Sequence, residues 1–396
     1  MVKRTWSLML LAAALLMMAS AARASEWWPQ PPHIAAKSWV LLDARSGQVL
    51  ASDNENMELP PASLTKMMTL YLAFEDLKLG RIKMSDQVPV SVKAWKMGGS
   101  RMFIDPSKHP TVEQLLHGIS TDSGNDAVIA LAEYISGTES AFVNRMNAKA
   151  KELGMAHTHF ADATGYPIAD HYSTALDMAH LGAALWRDFP KYYPIFDEHS
   201  YTYDNITQSN RNRLLWRDPR VDGIKTGHTD AAGFCLVTSA QKGNTRFVTA
   251  VFGTDSDDAR AQQSKAILDF AFRNFVTMRP ADHDIRRQVQ VYDGKQDTVW
   301  LVPKQPMWIS VPRGFERYVK FHLRYQAPLR APIAKGQVLG TVEAVAKTPS
   351  DDKAQVLGSV PMEADSRVAL ASWFGRKWDA LRLWWHANDQ AAQADE

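Results

Sequence analysis

The sequence predicts an α/β domain with helices flanking a largely antiparallel sheet, then a small all-β sandwich domain and a C-terminal amphipathic helix. Three observations carry this prediction. The apolar period is two near residues 38–51, helical through much of 63–186, two again from 222 to 253, and helical once more to 276. Between 285 and 346 only short β-branched runs remain, separated by turns. Beyond 366 the aromatic residues gather on one side of a helical wheel.

Composition sets the outer limits. With 45% hydrophobic and 22% charged residues, the 396-residue chain can bury a core. At about 150 residues per domain it has room for two or three domains. Lys and Arg number 45 against 43 Asp and Glu. A chain so balanced has no polyelectrolyte character, which argues against nucleic acid as its partner. A single cysteine, Cys235, excludes an intrachain disulfide and any cysteine-rich metal centre. Its setting, Phe234-Cys235-Leu236-Val237, reads as a strand with a buried thiol.

The elements follow in order. Lys3 and Arg4, an apolar run over 6–22 and Ala22-Arg23-Ala24 form a secretory signal peptide, with cleavage expected after Ala24. Asp43-Ala44-Arg45-Ser46-Gly47 marks a hairpin over 38–51, and Pro60-Pro61 opens a helix over 63–79 carrying Met67, Leu70, Tyr71 and Phe74. Loops near 120–125 and 162–172 interrupt the helical region 111–186. Strands over 233–240 and 246–253 turn at Lys242-Gly243-Asn244, and a helix over 262–276 closes the domain. The expected division is therefore signal peptide 1–24, main domain 25–278, all-β domain 279–350, a polar Pro-containing linker 351–366 and an amphipathic helix 367–388.

In that last segment Trp373, Phe374, Trp378, Leu381, Trp384 and Trp385 share an arc of about 140° with Leu370. The charge-free run 368–375 is too short to span a bilayer. Tryptophan favours the membrane interface, and Arg367, Arg376 and Arg382 would attract anionic lipid. The segment is expected to lie on a membrane surface; the alternative is a helix docked on the β-domain or on another protein.

Chemistry enters at Ser63-Leu64-Thr65-Lys66. Residues three apart on a helix share a face, so the Ser63 hydroxyl and the Lys66 amine can meet. A serine hydroxyl needs an adjacent base to attack a carbonyl at neutral pH. A lysine serves only if burial or a nearby cation depresses its pKa. The same spacing recurs at Ser239–Lys242 and Ser350–Lys353, but in a hairpin and in the expected linker; Ser52-Asp53-Asn54 likewise falls in a hairpin exit. Only Ser63 opens an amphipathic helix and is followed by Ser123-Gly124-Asn125 and then Lys225-Thr226-Gly227. His157, His159 and Asp162 could hold a metal, yet no further ligands cluster with them, and a structural or surface role is expected.

These motifs resemble those of the active-site serine penicillin-binding proteins and serine β-lactamases. Pro61 to Met68, Asp122 to Ala127 and Val221 to Thr229 are similar to the D-alanyl-D-alanine carboxypeptidase type, as are Ala331-Pro332-Ile333 and Lys335-Gly336-Gln337-Val338. The resemblance covers essentially the whole chain after residue 24 and implies a β-lactamase/D,D-peptidase-like first domain. It implies that Ser63 forms an acyl-enzyme, with Lys66 as base held neutral partly by the field of Lys225. Ser123 would relay the proton to the leaving amine, and Asn125 would bind the substrate peptide. Lys225 and Thr226, beside Gly227, would hold a terminal carboxylate, and the N–H groups of Ser63 and His228 would form the oxyanion hole. Arg211 and Arg260 would assist carboxylate binding. The implied partners are a peptidoglycan stem peptide and β-lactams as covalent inhibitors, in a periplasmic protein attached peripherally to the inner membrane. No metal or organic cofactor is implied.

Neighbouring activities leave different marks. A class A β-lactamase deacylates through a Glu four residues before an Asn, and none of Glu133, Glu139, Glu152 or Glu198 fits. A D,D-endopeptidase using the same acyl chemistry stays open, as does a catalytically silent wall-binding protein, although no motif residue is missing.

Overall fold

The computed structural model describes residues 27–347 and 354–394, with side chains as far as Leu383. The expected signal peptide lies outside the described residues, as does Ser350. Strands β1 (Ser38–Asp43) and β2 (Val49–Asp53) form the first hairpin, and β3 (Ser200–Tyr203) and β4 (Ile206–Ser209) form a small separate one. With β5 (Val221–Thr229), β6 (Gly233–Lys242) and β7 (Thr245–Thr254), the first hairpin builds a five-stranded sheet in the order β2-β1-β7-β6-β5. Every pairing in it is antiparallel, as the sequence predicts.

Strand alternation divides this sheet into two faces. Val40, Leu42, Val237 and Val248 bury one face under α1 (Lys66–Lys78), α2 (Asn125–Ser136), α3 (Glu139–Glu152) and α4 (Ala175–Asp188). Trp39, Leu41, Leu236 and Val251 bury the other face under α5 (Asp257–Asn274). Helix α5 starts earlier than the apolar period suggested, because the Ser256 hydroxyl caps it by accepting from the Ala259 N–H.

Residues after Asn274 form a second body with its own core. Strand β8 (Phe275–Met278) pairs with β11 (Ile309–Pro312). A six-stranded sheet runs β12-β14-β15-β10-β9-β13, from Arg287–Tyr292 (β9), Thr298–Pro303 (β10), Val319–Tyr325 (β12), Leu329–Arg330 (β13), Val338–Ala346 (β14) and Gln355–Ala364 (β15). Ile309 and Val311 of the short ladder and Leu301, Val342 and Met362 of the large sheet share one core. The β-domain thus begins at β8, inside the span expected for the first domain.

Two further boundaries need correction. The span expected as linker, 351–366, contains β15, which pairs with β14 on one side and β10 on the other. Leu357, Val360, Met362 and Ala364 point into the core, which a linker could not do. The last helix, α6, runs Trp373–Ala394 rather than starting at 367, because Val368 pairs with Ile333 and packs in the β-domain core.

One carboxylate fastens the two bodies together. Asp43 accepts through Oδ1 from the N–H groups of Arg45 (2.9 Å) and Ser46 (2.7 Å). Its Oδ2 accepts from Ser310 Oγ at 2.7 Å and from Thr277 Oγ1, both in the β8–β11 ladder. Gln48 adds a bond to the Ser310 carbonyl at 3.3 Å. Trp27 also crosses over, from the N-terminal segment into the β-domain core beside Phe315, with ring centroids 5.4 Å apart.

Candidate active site

Ser63 stands in a single 3-10 turn, Ala62–Thr65, that runs directly into α1. The turn places its hydroxyl above Lys66, whose Nζ donates to Ser63 Oγ at 2.8 Å and to the Thr164 carbonyl at 2.7 Å. Lys66 is 0% exposed. Burial in a low-dielectric interior disfavours the ammonium, and its pKa falls to about 7. Asp162 and Asp126 oppose the fall and Arg211 adds to it. Burial is the largest cause, and Arg211 is a contributing cation beside the Lys225 ammonium, whose repulsion with Lys66 is mutual. Lys225 is itself held well below the ordinary lysine value by burial and by the Lys66 charge.

The second motif enters from a widened π turn, Gly118–Asp122. Ser123 follows it in the left-handed region at φ +60°. Its Oγ is buried without a hydrogen-bond partner among the described residues. Asn125, at the head of α2, donates through Nδ2 to the Gly98 carbonyl at 2.8 Å, while its Oδ1 has no partner. Asp126 fixes the facing loop by accepting from the N–H groups of Met102 and Phe103, both at 2.8 Å.

Strand β5 supplies the third wall. Gly227 passes so close to the 3-10 turn that a Cβ there would lie 2.8 Å from the Pro61 carbonyl oxygen. That contact sets Thr226 and His228 beside Ser63, and the His228 ring stacks on Phe234 at 4.0 Å. Arg260 sits behind the strand, donating to the Gly227 carbonyl at 3.1 Å and pairing with Asp257. Arg211 is exposed at the mouth and donates to Ser100 Oγ at 2.8 Å.

Ser63, Ser123, Arg211, Thr226, Gly227, His228 and Arg260 line one cleft of about 480 Å³, with Lys66, Asn125 and Lys225 buried around it. All ten residues singled out from the sequence converge on this region. Of the other two Ser-x-x-Lys matches, Ser239 does not join it, since its Oγ accepts from Arg246 at 2.6 Å in the sheet; Ser350 lies outside the described residues. The arrangement brings a serine hydroxyl and an amine into hydrogen-bond contact, the geometry that activation of a serine requires.

This arrangement matches known proteins along most of its length. The family model described as D-alanyl-D-alanine carboxypeptidase matches residues 25–256, and that of the penicillin-binding protein 5 C-terminal domain matches 276–367. The chain belongs to the D-alanyl-D-alanine carboxypeptidase family. Its relative DacC of Escherichia coli K12, a D-alanyl-D-alanine carboxypeptidase, is 38% identical over 366 residues, covering 90% of each chain. The crystal structure of penicillin-binding protein 5 from Haemophilus influenzae superposes with a TM-score of 0.81 at 37% identity, covering 86% of this chain and 99% of that one. Penicillin-binding protein D2 from Listeria monocytogenes, solved in its ampicillin-bound form, is 25% identical with a TM-score of 0.57, over 62% of this chain and all of that one. The carboxypeptidase is thus a serine hydrolase with a helix-flanked antiparallel sheet and a C-terminal β-domain.

Several features of the carboxypeptidase site are absent from its motifs. The Thr164 carbonyl, 98 residues from Lys66, holds the amine from the side opposite Ser63. Asp162 builds the loop that presents it, accepting from the N–H groups of Thr164 (2.9 Å) and Gly165 (2.6 Å). Asp122, just before Ser123, is buried with neither oxygen hydrogen-bonded, and burial raises it to about 7. The expected loop at 162–172 was the only sequence sign of the first two. His157 and His159 do not line the cleft: His157 faces Glu58 at 3.2 Å and His159 faces the Asp170 carbonyl at 2.5 Å. Among the described residues no group of three potential ligands could hold a metal.

Proposed function

We propose that Ser63 attacks the carbonyl between the two terminal D-alanines of a peptidoglycan stem peptide, with Lys66 as general base. The 2.8 Å contact between a fully buried, neutral-tending amine and the hydroxyl is the observation that carries this reading. Lys66 takes the Ser63 proton as the Oγ–carbon bond forms. The backbone N–H groups of Ser63 and His228 stabilise the oxyanion. Ser123 then relays that proton from Lys66 to the departing D-alanine amine, which restores the neutral amine, and water later hydrolyses the Ser63 ester to free the shortened peptide and the enzyme. The partnerless Ser123 Oγ and Asn125 Oδ1 are polar groups that substrate can satisfy, each costly to leave unpaired at about 1–3 kcal/mol. Lys225 and Thr226, with Arg211 at the mouth and Arg260 behind, bind the terminal carboxylate by charge-assisted hydrogen bonds.

A penicillin offers a carboxylate beside a strained amide and enters by the same route. Incubation with a pentapeptide ending in D-Ala-D-Ala should release one equivalent of free D-alanine. Penicillin should add its mass to the peptide containing Ser63. An adduct on any other residue, or release of an internal fragment without D-alanine, overturns the assignment.

The tail places this chemistry at the inner membrane. Trp373, Phe374 and Trp378 are 58%, 78% and 63% exposed, whereas Asp379 on the same helix is buried, accepting from the Asp293 N–H at 2.6 Å. The polar side of α6 therefore docks on the β-domain and its aromatic side faces outward, which supports insertion into a lipid surface. No helix among the described residues is long and apolar enough to cross a membrane. Removing 373–396, which spares Val368 and the β-domain core, is expected to move the periplasmic protein from the membrane pellet to the soluble fraction. Persistence in the pellet would remove the tail from the account.

A further inference from the structure

The loop that carries the Thr164 carbonyl is tied to the nucleophile's own turn by a single imidazole. His171 is buried, and its Nδ1 accepts from the Ala161 N–H at 3.0 Å. A nitrogen that accepts from a backbone N–H carries no hydrogen, so the hydrogen of neutral His171 is on Nε2. That nitrogen lies 2.7 Å from Thr65 Oγ1 and therefore donates to it. Thr65 is the residue between Ser63 and Lys66 that ends the 3-10 turn. The ring thus bridges the turn bearing the nucleophile to the start of the loop that contains Asp162, Thr164 and Gly165.

We propose that His171 is a positioning residue for Lys66, holding the Thr164 carbonyl in place only as the neutral, Nε2-protonated imidazole. A second proton on Nδ1 would abolish its acceptance from Ala161. The nearest anion for the new N–H is Asp162 Oδ1, 3.7 Å away. That same oxygen accepts from the N–H groups of Thr164 and Gly165, so turning it toward an imidazolium withdraws it from the loop. The charged groups facing the ring are Lys66 on α1, and Asp162 and His159 on the loop. Burial, with Lys66 and His159, favours the neutral ring, and Asp162 opposes them. Acid therefore acts twice on acylation: it protonates the base, and it releases the loop that orients the base.

The inference rests on Lys66 being the base, and the test separates the two. The second-order rate of acylation by a reporter penicillin is measured from pH 8 to 4.5, with return to pH 8 to confirm reversibility. In the wild type, the logarithm of the rate should fall with slope one and steepen toward two at the acid end. His171→Asn keeps an acceptor in place of Nδ1 but cannot titrate. It should stay within about fivefold of wild type at pH 8 and show slope one throughout, whereas His171→Ala should lose about 30-fold at pH 8, as small displacements of a reacting group do. A single-proton wild-type profile that His171→Asn copies overturns the inference and leaves Lys66 as base. A wild-type rate that does not fall with acid overturns both.

Discussion

Replacing Lys66 with arginine is expected to lower acylation of Ser63 by penicillin by about 10³-fold or more, at the upper part of the range for loss of a general base. Arginine stays protonated at every pH the protein survives, so it cannot accept the Ser63 proton. Nor can a guanidinium be accommodated easily where the amine is wholly enclosed and held at 2.7 Å by the Thr164 carbonyl. The pH profile supplies the companion measurement. The base works when neutral and titrates at about 7, so wild-type acylation should rise with pH through that value. A Lys66→Arg protein that folds, by its melting curve, and still acylates at near wild-type rate would falsify the base assignment.

The second large effect is structural in origin. Gly165 adopts φ +91°, and a Cβ there would sit 1.8 Å from the Ala62 carbonyl oxygen. No side chain can be fitted without parting the 162–166 loop from the Ser63 turn. Gly165→Ala should therefore cut acylation by about 10²-fold, the scale expected when reacting groups shift by about 1 Å. The strained backbone should also cost about 1–3 kcal/mol of stability. The order of effects is diagnostic, because β-domain packing and the sheet are remote from the clash. If melting falls while acylation of the still-folded fraction is unchanged, the loop does not orient Lys66.

How much of this could be read beforehand depends on how local the signal is. Ser63, Lys66, Ser123, Asn125, Lys225 and Thr226 lie in short motifs whose spacing is itself chemical, and they converge as expected. The antiparallel sheet was legible because β6 and β7 are strand-like runs joined by one tight turn. Strand β15 was not: Gly358 and Ser359 break its alternation, Pro361 reads as a strand breaker, and a bulge opposite Ala344–Val345 shifts its register. Its place between β14 and β10 is a tertiary fact. The same holds for Thr164, which contributes a backbone carbonyl and so leaves no side-chain signature at all. Lys66 shows the limit most clearly, since the motif names the base but only enclosure by distant segments depresses its pKa.

The Asp43 fastening bears on where this enzyme can work. A carboxylate that gathers the β1–β2 turn, Thr277 and Ser310 into one buried cluster leaves little freedom for the two bodies to swing. With α6 docked through Asp379, the proposed insertion of its aromatic side into lipid would make the molecule a strut of fixed length. The cleft would then patrol one stratum of the wall at a set height, and stem peptides nearer to or farther from the bilayer would escape trimming until growth carried them through that layer.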